Sequence, residues 1–328
     1  MVFEVNLRKY FTPRAIAQTL EKLPPLQTPV LDRIYPESVR KQHQLPVLGI
    51  NEIKRTVKNV PVVRRGTAAV PLQDGQGGIS YIEPQPIEVS SFISAKELND
   101  MKLLSEKGIQ EYIAGVIDYQ RQVIRKTTEA LAAQSLKGEI SYPMKTNAGY
   151  DLYVVSFGST NSYTVSTPWN AENKKFADVL LDLIRISELL NKKGYSNVAF
   201  LAGSRAFITL AQLVLNLQGD TIKAQVTEKA ITLAGFTVEL FNGVYEDPRD
   251  GSTRYVVEPN YICAVALDAP FTLYYCAIDD IEAGLVAMPY YATPDMKKNP
   301  SGVEIVGKSK PLPVPVVDAI CWAEVISS

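Results

Sequence analysis

The chain has 328 residues, of which 46% are hydrophobic and 21% charged, with a formal net charge of −1. This is the composition of a folded chain of about two domains, and it excludes an intrinsically disordered protein. The sequence has no apolar run long enough for a membrane span and no secretion signal, and its three cysteines indicate buried thiols in a reducing compartment.

Charge is unevenly distributed along the chain. Residues 1–73 contain 12 lysines and arginines against 5 aspartates and glutamates, whereas residues 74–328 contain 22 against 30. The basic leading part either lies against acidic protein or polyanion or is merely solvated, and composition leaves both open. The cations Arg8, Lys9 and Arg14, with Lys22, are not part of a recognisable nucleic-acid reader, so no base-specific site is predicted.

Residues 1–48 are predicted to be an arm and not a domain. A short helix is expected over residues 12–22, because Thr12 is a good N-cap and Pro13 suits the first helical position. Two consecutive prolines then end this helix. The scattered apolar residues that follow cannot form a core alone, so the arm is expected to lie on a larger surface.

Residues 50–92 are predicted to form a long two-stranded ribbon. The valine-rich outgoing limb covers residues 50–72, the return limb covers residues 79–92, and the glycine-rich stretch 73–78 is a strong turn signal. Prolines in both limbs place these strands at sheet edges. Since an isolated hairpin is only marginally stable in water, another surface is expected to support the ribbon.

The next segment is predicted to be one long helix. Residues 94–97 fit a capping box, and apolar residues then recur at steps of three and four until Gly138 provides a C-terminal stop. The expected length is about 42 residues, or about 60 Å, with Gly108 and Gly115 as points of bending. Charged residues, Glu129 among them, are placed on the face opposite the apolar stripe.

Beyond residue 139 the pattern changes to strands and helices. A hairpin is predicted from residues 140–144 and 151–157, helices over 173–193 and 204–217, and a central strand over the apolar run 198–202. Further strands are predicted at 230–233, 236–241, 253–257, 261–267 and 272–278, and extended chain at 302–306 and 312–325. The pattern indicates an α+β domain over residues 150–295 with a strand-rich tail.

One nucleotide-binding pattern matches literally. From Gly302 to Ser309 the chain has two glycines separated by four residues and then Lys-Ser, which is the P-loop spacing. A P-loop needs a buried strand before it and a helix after it, so that backbone amides hold phosphate. Polar residues precede the pattern and three prolines follow it, so the sequence argues against a nucleotide site.

The other titratable residues form no recognisable constellation, and no catalytic, cofactor-binding or metal-ligating residue is predicted. Turn acids lack the spacing of a calcium or magnesium loop, the thiols lie in apolar runs, and the single histidine is expected to be a solvated loop residue. The candidates considered are Asp279, Asp280 and Glu282; Glu246, Asp247 and Asp250; Asp151, Glu258 and Asp268; Cys263, Cys276 and Cys321; and His43.

The order of the parts is distinctive: arm, glycine-tipped ribbon, capped long helix, α+β domain and strand-rich return. It resembles the major capsid proteins of tailed bacteriophages with the HK97-like fold, most closely the lambda-type major capsid protein E family. The similarity covers nearly the whole chain. It is carried by residues 28–35 (TPVLDRIY), 81–89 (YIEPQPIEV) and 129–140 (EALAAQSLKGEI), by Trp169 with the helix after it, and by residues 200–207 and 257–260 (VEPN).

The resemblance implies a fold and a division into parts. The implied fold is α+β and HK97-like, with residues 1–48 as the N-arm, 49–93 as the extended E-loop, 94–149 with 296–328 as the peripheral domain, and 150–295 as the axial domain. The arm and the E-loop would lie on neighbouring subunits. This agrees with the edge strands and apolar side chains, which one subunit cannot cover alone.

The implied function is structural and not enzymatic: self-assembly into pentamers and hexamers of an icosahedral phage head around double-stranded DNA, contacted without sequence specificity. The implied partners are copies of the chain itself, a separate scaffolding protein, a portal and a decoration protein, with no cofactor and no membrane. The separate scaffold is expected because the arm begins directly at Met1. The location would be the virion capsid, after assembly in the host cytoplasm.

Some members of the resembled family join subunits by lysine–asparagine isopeptide bonds. The stretch between Gly66 and Ala95 contains no lysine, so no crosslink from the ribbon tip is predicted. Two alternatives remain open, an encapsulin-like compartment shell with protein cargo and a monomeric α+β binding module, whereas a P-loop NTPase acting through Lys308 is considered and rejected. Particle DNA content, nucleotide binding lost in Lys308→Ala, and sedimentation as a 36.2 kDa species discriminate between them.

Overall fold

The computed structural model describes residues 7–49, 81–215 and 224–327. Its α-helices are α1 (Pro13–Lys22), α2 (Pro29–Arg33), α3 (Ala95–Asp100), α4 (Glu106–Ser135), α5 (Phe176–Asn191) and α6 (Ser204–Leu215). Its strands are β1 (Arg40–His43), β2 (Leu48–Gly49), β3 (Tyr81–Ile82), β4 (Ile87–Ser94), β5 (Glu139–Thr146), β6 (Gly149–Ser156), β7 (Asn161–Thr164), β8 (Val198–Ala202), β9 (Ala224–Val226), β10 (Ala230–Leu233), β11 (Phe236–Leu240), β12 (Val244–Glu246), β13 (Thr253–Tyr255), β14 (Tyr261–Ala266), β15 (Thr272–Cys276), β16 (Tyr291–Lys298), β17 (Ser301–Ser309), β18 (Pro311–Val314) and β19 (Ile320–Glu324). None of the described helices is both long and apolar enough to cross a bilayer.

The chain divides into two compact units. The first consists of Met1–Pro25, Lys41–Ile124 and Tyr274–Leu312, and the second consists of Leu26–Arg40, Arg125–Leu273 and Pro313–Ser328. The long helix α4 contributes to both, since the boundary falls between residues 124 and 125.

Local capping signals are confirmed in the first unit. The Thr12 side chain accepts from Ala15 N at 3.2 Å, and Pro13 is the first residue of α1. At the start of α3 the Ser94 and Glu97 side chains each accept from the other's backbone amide, which completes the capping box. Both helices therefore begin where the sequence indicates.

The prediction of one continuous helix of about 42 residues is wrong. α3 ends at Asp100, a short 3-10 turn follows, and Leu104 is extended with ψ of 150° before α4 starts. Ser105 acts as a second cap, because its Oγ accepts from Gly108 N at 3.2 Å. The predicted stop is confirmed: α4 ends at Ser135, and Gly138 has φ of +85°, a conformation glycine adopts without steric cost.

The first unit is built on an antiparallel sheet in the order β16, β17, β4. Its core joins this sheet to α1 and α4, with Ile16, Ile113, Ile117, Tyr291 and Ile305 almost fully buried. The pairing of β17 with β4 is a finding that the sequence did not predict. It gives the end of the predicted return limb a partner other than the outgoing limb.

The predicted ribbon lies mostly outside the described residues. Its outgoing limb and its tip fall on residues 50–80, which the structure does not describe, whereas the return limb is described from residue 81 onward. On either side of that stretch β2 pairs antiparallel with β3, with Leu48 opposite Ile82. The chain therefore leaves and re-enters the described part side by side.

The second unit contains a seven-stranded sheet in the order β7, β19, β14, β8, β11, β10, β9. The predicted central strand is confirmed, since β8 lies between β14 and β11. α5 packs on β14 and β19, and α6 packs on β9 and β11. The sequence missed β7, which lies in a polar run and pairs in parallel with β19. The predicted end of the second helix at residue 217 lies outside the described residues.

The predicted hairpin after α4 is confirmed and is longer than expected. β5 and β6 pair antiparallel over eight residues each, with Tyr142 opposite Tyr153. The predicted later strands are confirmed at β10, β11, β13, β14 and β15.

Candidate assembly surfaces

Part of the arm is held on the end of α4 by a buried carboxylate. Glu129 Oε1 accepts from Val30 N at 2.7 Å and Oε2 accepts from Leu31 N at 2.9 Å. These amides are the donors that the first turn of α2 leaves without an intrahelical partner. Burial raises the pKa of Glu129, because the charged form is disfavoured away from water. The placement of Glu129 on a solvated charged face was therefore wrong.

Two further side chains of α4 secure the same arm segment. Arg125 donates to Thr28 Oγ1 at 2.9 Å and to Asp32 Oδ1 at 2.8 Å. The Tyr35 hydroxyl lies 2.9 Å from Ser135 Oγ, and both side chains are buried. The stretch that carries the family resemblance at residues 28–35 is thus an ordered docking segment within the second unit.

Gln120 fastens α4 to the sheet of the first unit. Its Nε2 donates to Ser91 Oγ at 2.9 Å and to Ile305 O at 2.8 Å, and its Oε1 accepts from the Tyr290 hydroxyl at 2.9 Å. A Cβ at Gly307 would lie 2.5 Å from this Oε1, so the glycine is required by the close approach. Since Ser91 belongs to β4, the network anchors the described end of the return limb.

The P-loop pattern is a sheet strand. Gly302–Ser309 lies within β17, which pairs on one side with β16 and on the other with β4. The chain continues into β18, so the expectation that no helix follows is confirmed. Lys308 Nζ lies 2.9 Å from Asp280 Oδ2, which means that its charge is already matched by a carboxylate.

The acidic clusters also have basic partners. Asp279 lies 3.0 Å from Lys310 Nζ, and Asp247 lies 2.7 Å from Arg249. The hydrogen bond from Arg249 lowers the pKa of Asp247 to about 2. Within the described residues, no group of three or more His, Cys, Asp and Glu side chains is arranged to hold a metal ion.

The environment of the single histidine differs from the predicted one, whereas that of the three cysteines agrees with the prediction. His43 ends β1 and is half-buried, with a ring nitrogen 3.0 Å from Val47 O and its ring edge-on to Tyr274. The prediction of a solvated loop histidine is therefore wrong. The three cysteines are free and buried, as expected, and burial raises the pKa of the Cys276 and Cys321 thiols to about 11.

The second unit contains a polar cavity of about 250 Å³. Its charged lining is Lys137, Asp247, Arg249, Arg254 and Glu258. Lys137 pairs with Glu258 at 3.5 Å, and both arginines pair with Asp247, so the charges largely neutralise one another. The arrangement is that of a surface ion-pair network, since four of the five charged side chains are about half exposed.

Several large apolar side chains are exposed on ordered elements. Tyr150, Leu152 and Val154 occupy alternate positions of β6 and therefore share one face of the hairpin, and all three are exposed. In the first unit Ile281 and Leu285 are exposed in the loop between β15 and β16. Scattered exposed side chains are ordinary, but a contiguous apolar face on a two-stranded hairpin suits contact with another protein surface.

Comparison with protein families decides the class of the molecule. A family model described as phage major capsid protein E matches residues 12–325. The chain belongs to the phage major capsid protein E family. It is thus a structural protein of the icosahedral phage head, it forms the virion capsid, and it self-assembles into the capsid lattice.

Solved structures agree with this family on the fold. A protein described as a prophage capsid protein of E. coli CFT073 has a TM-score of 0.66 at 16% identity, with 97% of this chain and 99% of that chain covered. A phage-related protein of Bordetella bronchiseptica RB50 has a TM-score of 0.51 at 9% identity, covering 96% and 97%. The capsid of cyanophage A-1(L) has a TM-score of 0.50 at 12% identity, covering 92% and 93%. No curated protein matches the sequence.

For a major capsid protein E, the functional sites are the surfaces through which copies meet, and the contacts that hold the arm and β4 in place shape those surfaces. Two residues that make such contacts, Gln120 and Glu129, were not predicted from the sequence. Gln120 had a readable signal, because it is a polar residue in the apolar series formed by Ile113, Ile117 and Ile124. Glu129 had no comparable signal, since its partners lie 98 and 99 residues away.

Proposed function

We propose that copies of this chain form pentamers and hexamers of a phage head that encloses double-stranded DNA. The observation that carries the proposal is the family match over residues 12–325. Supporting it, β2 and β3 bring the ends of the residue 50–80 stretch side by side, and apolar side chains stand exposed on ordered elements. Symmetric rings of identical copies would bury such surface.

In this proposal residues 1–48 are the N-arm, 49–93 the E-loop, 94–149 with 296–328 the peripheral domain, and 150–295 the axial domain. The arm and the E-loop contact neighbouring copies. Support for the peripheral domain comes from the pairing of β17 with β4 and from Gln120, which tie the last strand of the E-loop to the long helix and to the tail. A scaffolding protein, a portal and a decoration protein complete the head, which assembles in the host cytoplasm.

The subunit itself makes and breaks no covalent bond in this proposal. Lys308, the lysine of the P-loop pattern, is paired with Asp280, and this pairing supports a structural role for the lysine. Because residues 66–95 lack lysine, no covalent ring forms from the E-loop tip. On a denaturing gel of assembled particles this subunit should run as one 36.2 kDa band, and a ladder of its covalent oligomers would contradict this part.

The test is co-expression with the cognate scaffolding protein, followed by negative-stain microscopy, sedimentation and measurement of the DNA content of particles from infected cells. We expect closed shells made of rings, with DNA inside. A single 36.2 kDa species at every concentration would refute assembly. Closed shells that carry protein cargo and no DNA would show an encapsulin-like compartment instead.

A further inference from the structure

The loop of residues 279–286 in the first unit is fixed by its own polar groups. Asp280 is largely buried, and its Oδ1 accepts from Glu282 N at 2.8 Å and from Ala283 N at 3.1 Å. Its Oδ2 pairs with Lys308 of β17 at 2.9 Å. Ala283 is buried in the core of the unit, so the loop is anchored from inside as well as through its carboxylate.

This fixed loop presents two branched apolar side chains to solvent. Ile281 is 89% exposed and Leu285 is 56% exposed. Leu285 has φ of +55°, in the left-handed region that branched side chains rarely adopt, and its N donates to Asp280 O at 3.1 Å. Strain of this kind persists where the surroundings determine the backbone, and it clusters at binding sites.

The charge that reaches solvent beside these side chains is mainly negative. The Asp279 side chain is 70% exposed while its partner Lys310 is almost completely buried, and Asp280 and Lys308 neutralise each other below the surface. Glu282 is half-exposed and lies 3.8 Å from the exposed Arg8, a pair that water weakens strongly. The surface defined by Asp279, Ile281, Glu282 and Leu285, here called the 281 surface, is therefore apolar with an acidic rim.

One stretch of the chain has the complementary chemistry. Residues 50–72 contain five basic side chains, Lys54, Arg55, Lys58, Arg64 and Arg65, against the single acid Glu52, and Val57, Val60, Val62 and Val63 lie among them. The 31 residues from 50 to 80 leave β2 and return at β3, so by chain length alone they can reach about 50 Å from that point. That distance is enough to reach an adjoining subunit.

We propose that the 281 surface of one copy is the docking site for residues 50–72 of a second copy. This rests on the proposed function, in which the E-loop crosses to a neighbour, and it names the surface on which that segment lies. Ile281 and Leu285 pack among the valines, and the acidic rim faces the lysines and arginines. The contact is heterologous, and repeated with a rotation that closes it generates a ring.

The test is photo-crosslinking in assembled particles, with benzoylphenylalanine placed at position 281. A matched control places the same probe at Leu103, which is 88% exposed in the same unit. Particles are made from a mixture of tagged and untagged chains, and crosslinked peptides are mapped by mass spectrometry. We expect the probe at 281 to capture residues 50–72 of another chain and the probe at 103 not to do so.

The possible outcomes separate the inference from the function. Shells that form while the probe at 281 captures another segment, its own chain, or nothing overturn the docking site and leave shell formation intact. Capture of residues 50–72 from both positions also overturns it, because the contact would then be unspecific. If no shell forms under any condition, the proposed function fails and the docking site fails with it. As a second measurement, Ile281→Lys should raise the protein concentration needed for assembly by about tenfold, since it places a cation against a basic segment.

Discussion

Replacing Asp182 by asparagine should destabilise the second unit far more than the same change at an exposed ion pair. Asp182 accepts from Lys174 Nζ at 2.7 Å, from Trp169 Nε1 at 3.0 Å and from the Tyr163 hydroxyl at 2.9 Å. The Lys174 and Asp182 side chains are only 1% and 3% exposed. Asparagine keeps the shape and an acceptor oxygen, so the change mainly removes the negative charge.

The expected loss of stability in Asp182→Asn follows from the burial of the ion pair. Once position 182 is neutral, the Lys174 ammonium has only uncharged acceptors, Thr167 O at 3.0 Å and the introduced amide oxygen, and no carboxylate to compensate its charge. Leaving one partner of a buried ion pair uncompensated costs about 3–5 kcal/mol. The control is Asp318→Asn: its partner Lys193 lies at a similar 3.0 Å, but the two side chains are 48% and 59% exposed. Exposed pairs of this kind contribute about 0–1 kcal/mol.

The assay is urea unfolding of the full-length chain in dilute, unassembled form, followed by tryptophan fluorescence. Trp169 and Trp322 are the only tryptophans and both belong to the second unit, so the signal reports that unit. Adding Lys174→Met to the Asp182→Asn variant should recover part of the loss, because it removes the stranded charge. Equal effects of Asp182→Asn and Asp318→Asn would refute the reasoning from burial.

Four further substitutions test other contacts in the same unassembled chain, with unfolding followed by circular dichroism because three of them lie in the first unit, which contains no tryptophan. Gly115→Ala should stabilise α4 by about 0.5–1 kcal/mol, because no atom lies within 4 Å of the new Cβ. Gly307→Ala should lower the free energy of unfolding by about 1–3 kcal/mol, because the new Cβ clashes with Gln120. Equal effects of the two substitutions in urea unfolding would contradict this reasoning. Ser105→Ala should cost about 1 kcal/mol by removing the cap of α4, measured as a lower urea midpoint at unchanged slope. Burial raises the pKa of Glu129 above its ordinary value of 4.5, so the folded chain holds this proton more tightly than the unfolded chain does. The stability that the bound proton contributes is therefore lost as the pH rises from 4.5 through the folded pKa. Glu129→Gln should remove this fall, and an unchanged pH profile would show that the carboxylate is not the titrating group.

The sequence predicted the elements whose signals are local. The Thr12 cap, the capping box at residues 94–97, the β5–β6 hairpin and the central strand β8 each depend on residues close to one another in the chain. Such signals act through backbone donors and side-chain period, and distant partners do not change them. The class of fold followed from the order of these elements together with the family resemblance.

The break before α4 was missed because the apolar period runs across it. Met101 and Ile109 lie eight residues apart, a spacing that one continuous helix would also give, and both are buried in the same core. Only Ser105, a second N-cap inside the apolar series, marked the break. Where the apolar period continues past an N-cap residue, the N-cap marks where the helical backbone begins, whereas the apolar period shows only which face is buried.

The buried charges could not be predicted, because their burial depends on where distant chain segments pack. Glu129 is an ordinary helix glutamate until α2 covers it, and Asp182 is an ordinary helix aspartate until Trp169 and Lys174 close over it. Neither spacing nor composition states which charged residue on a helix will be covered. The sequence therefore placed Glu129 on the solvated face.

The buried polar contacts and the exposed apolar surfaces have different roles in a shell subunit. Glu129 and Gln120 accept or donate only when the arm and the β-sheet are in register, and a slip of one residue would leave buried polar atoms without partners. Those contacts therefore fix the same arrangement in every copy. In the proposed shell, apolar surfaces such as the face of β6 and the 281 surface would tolerate small shifts between subunits, because burial of apolar area is not directional. The proposed shell needs both properties, since identical subunits would meet in rings of five and of six.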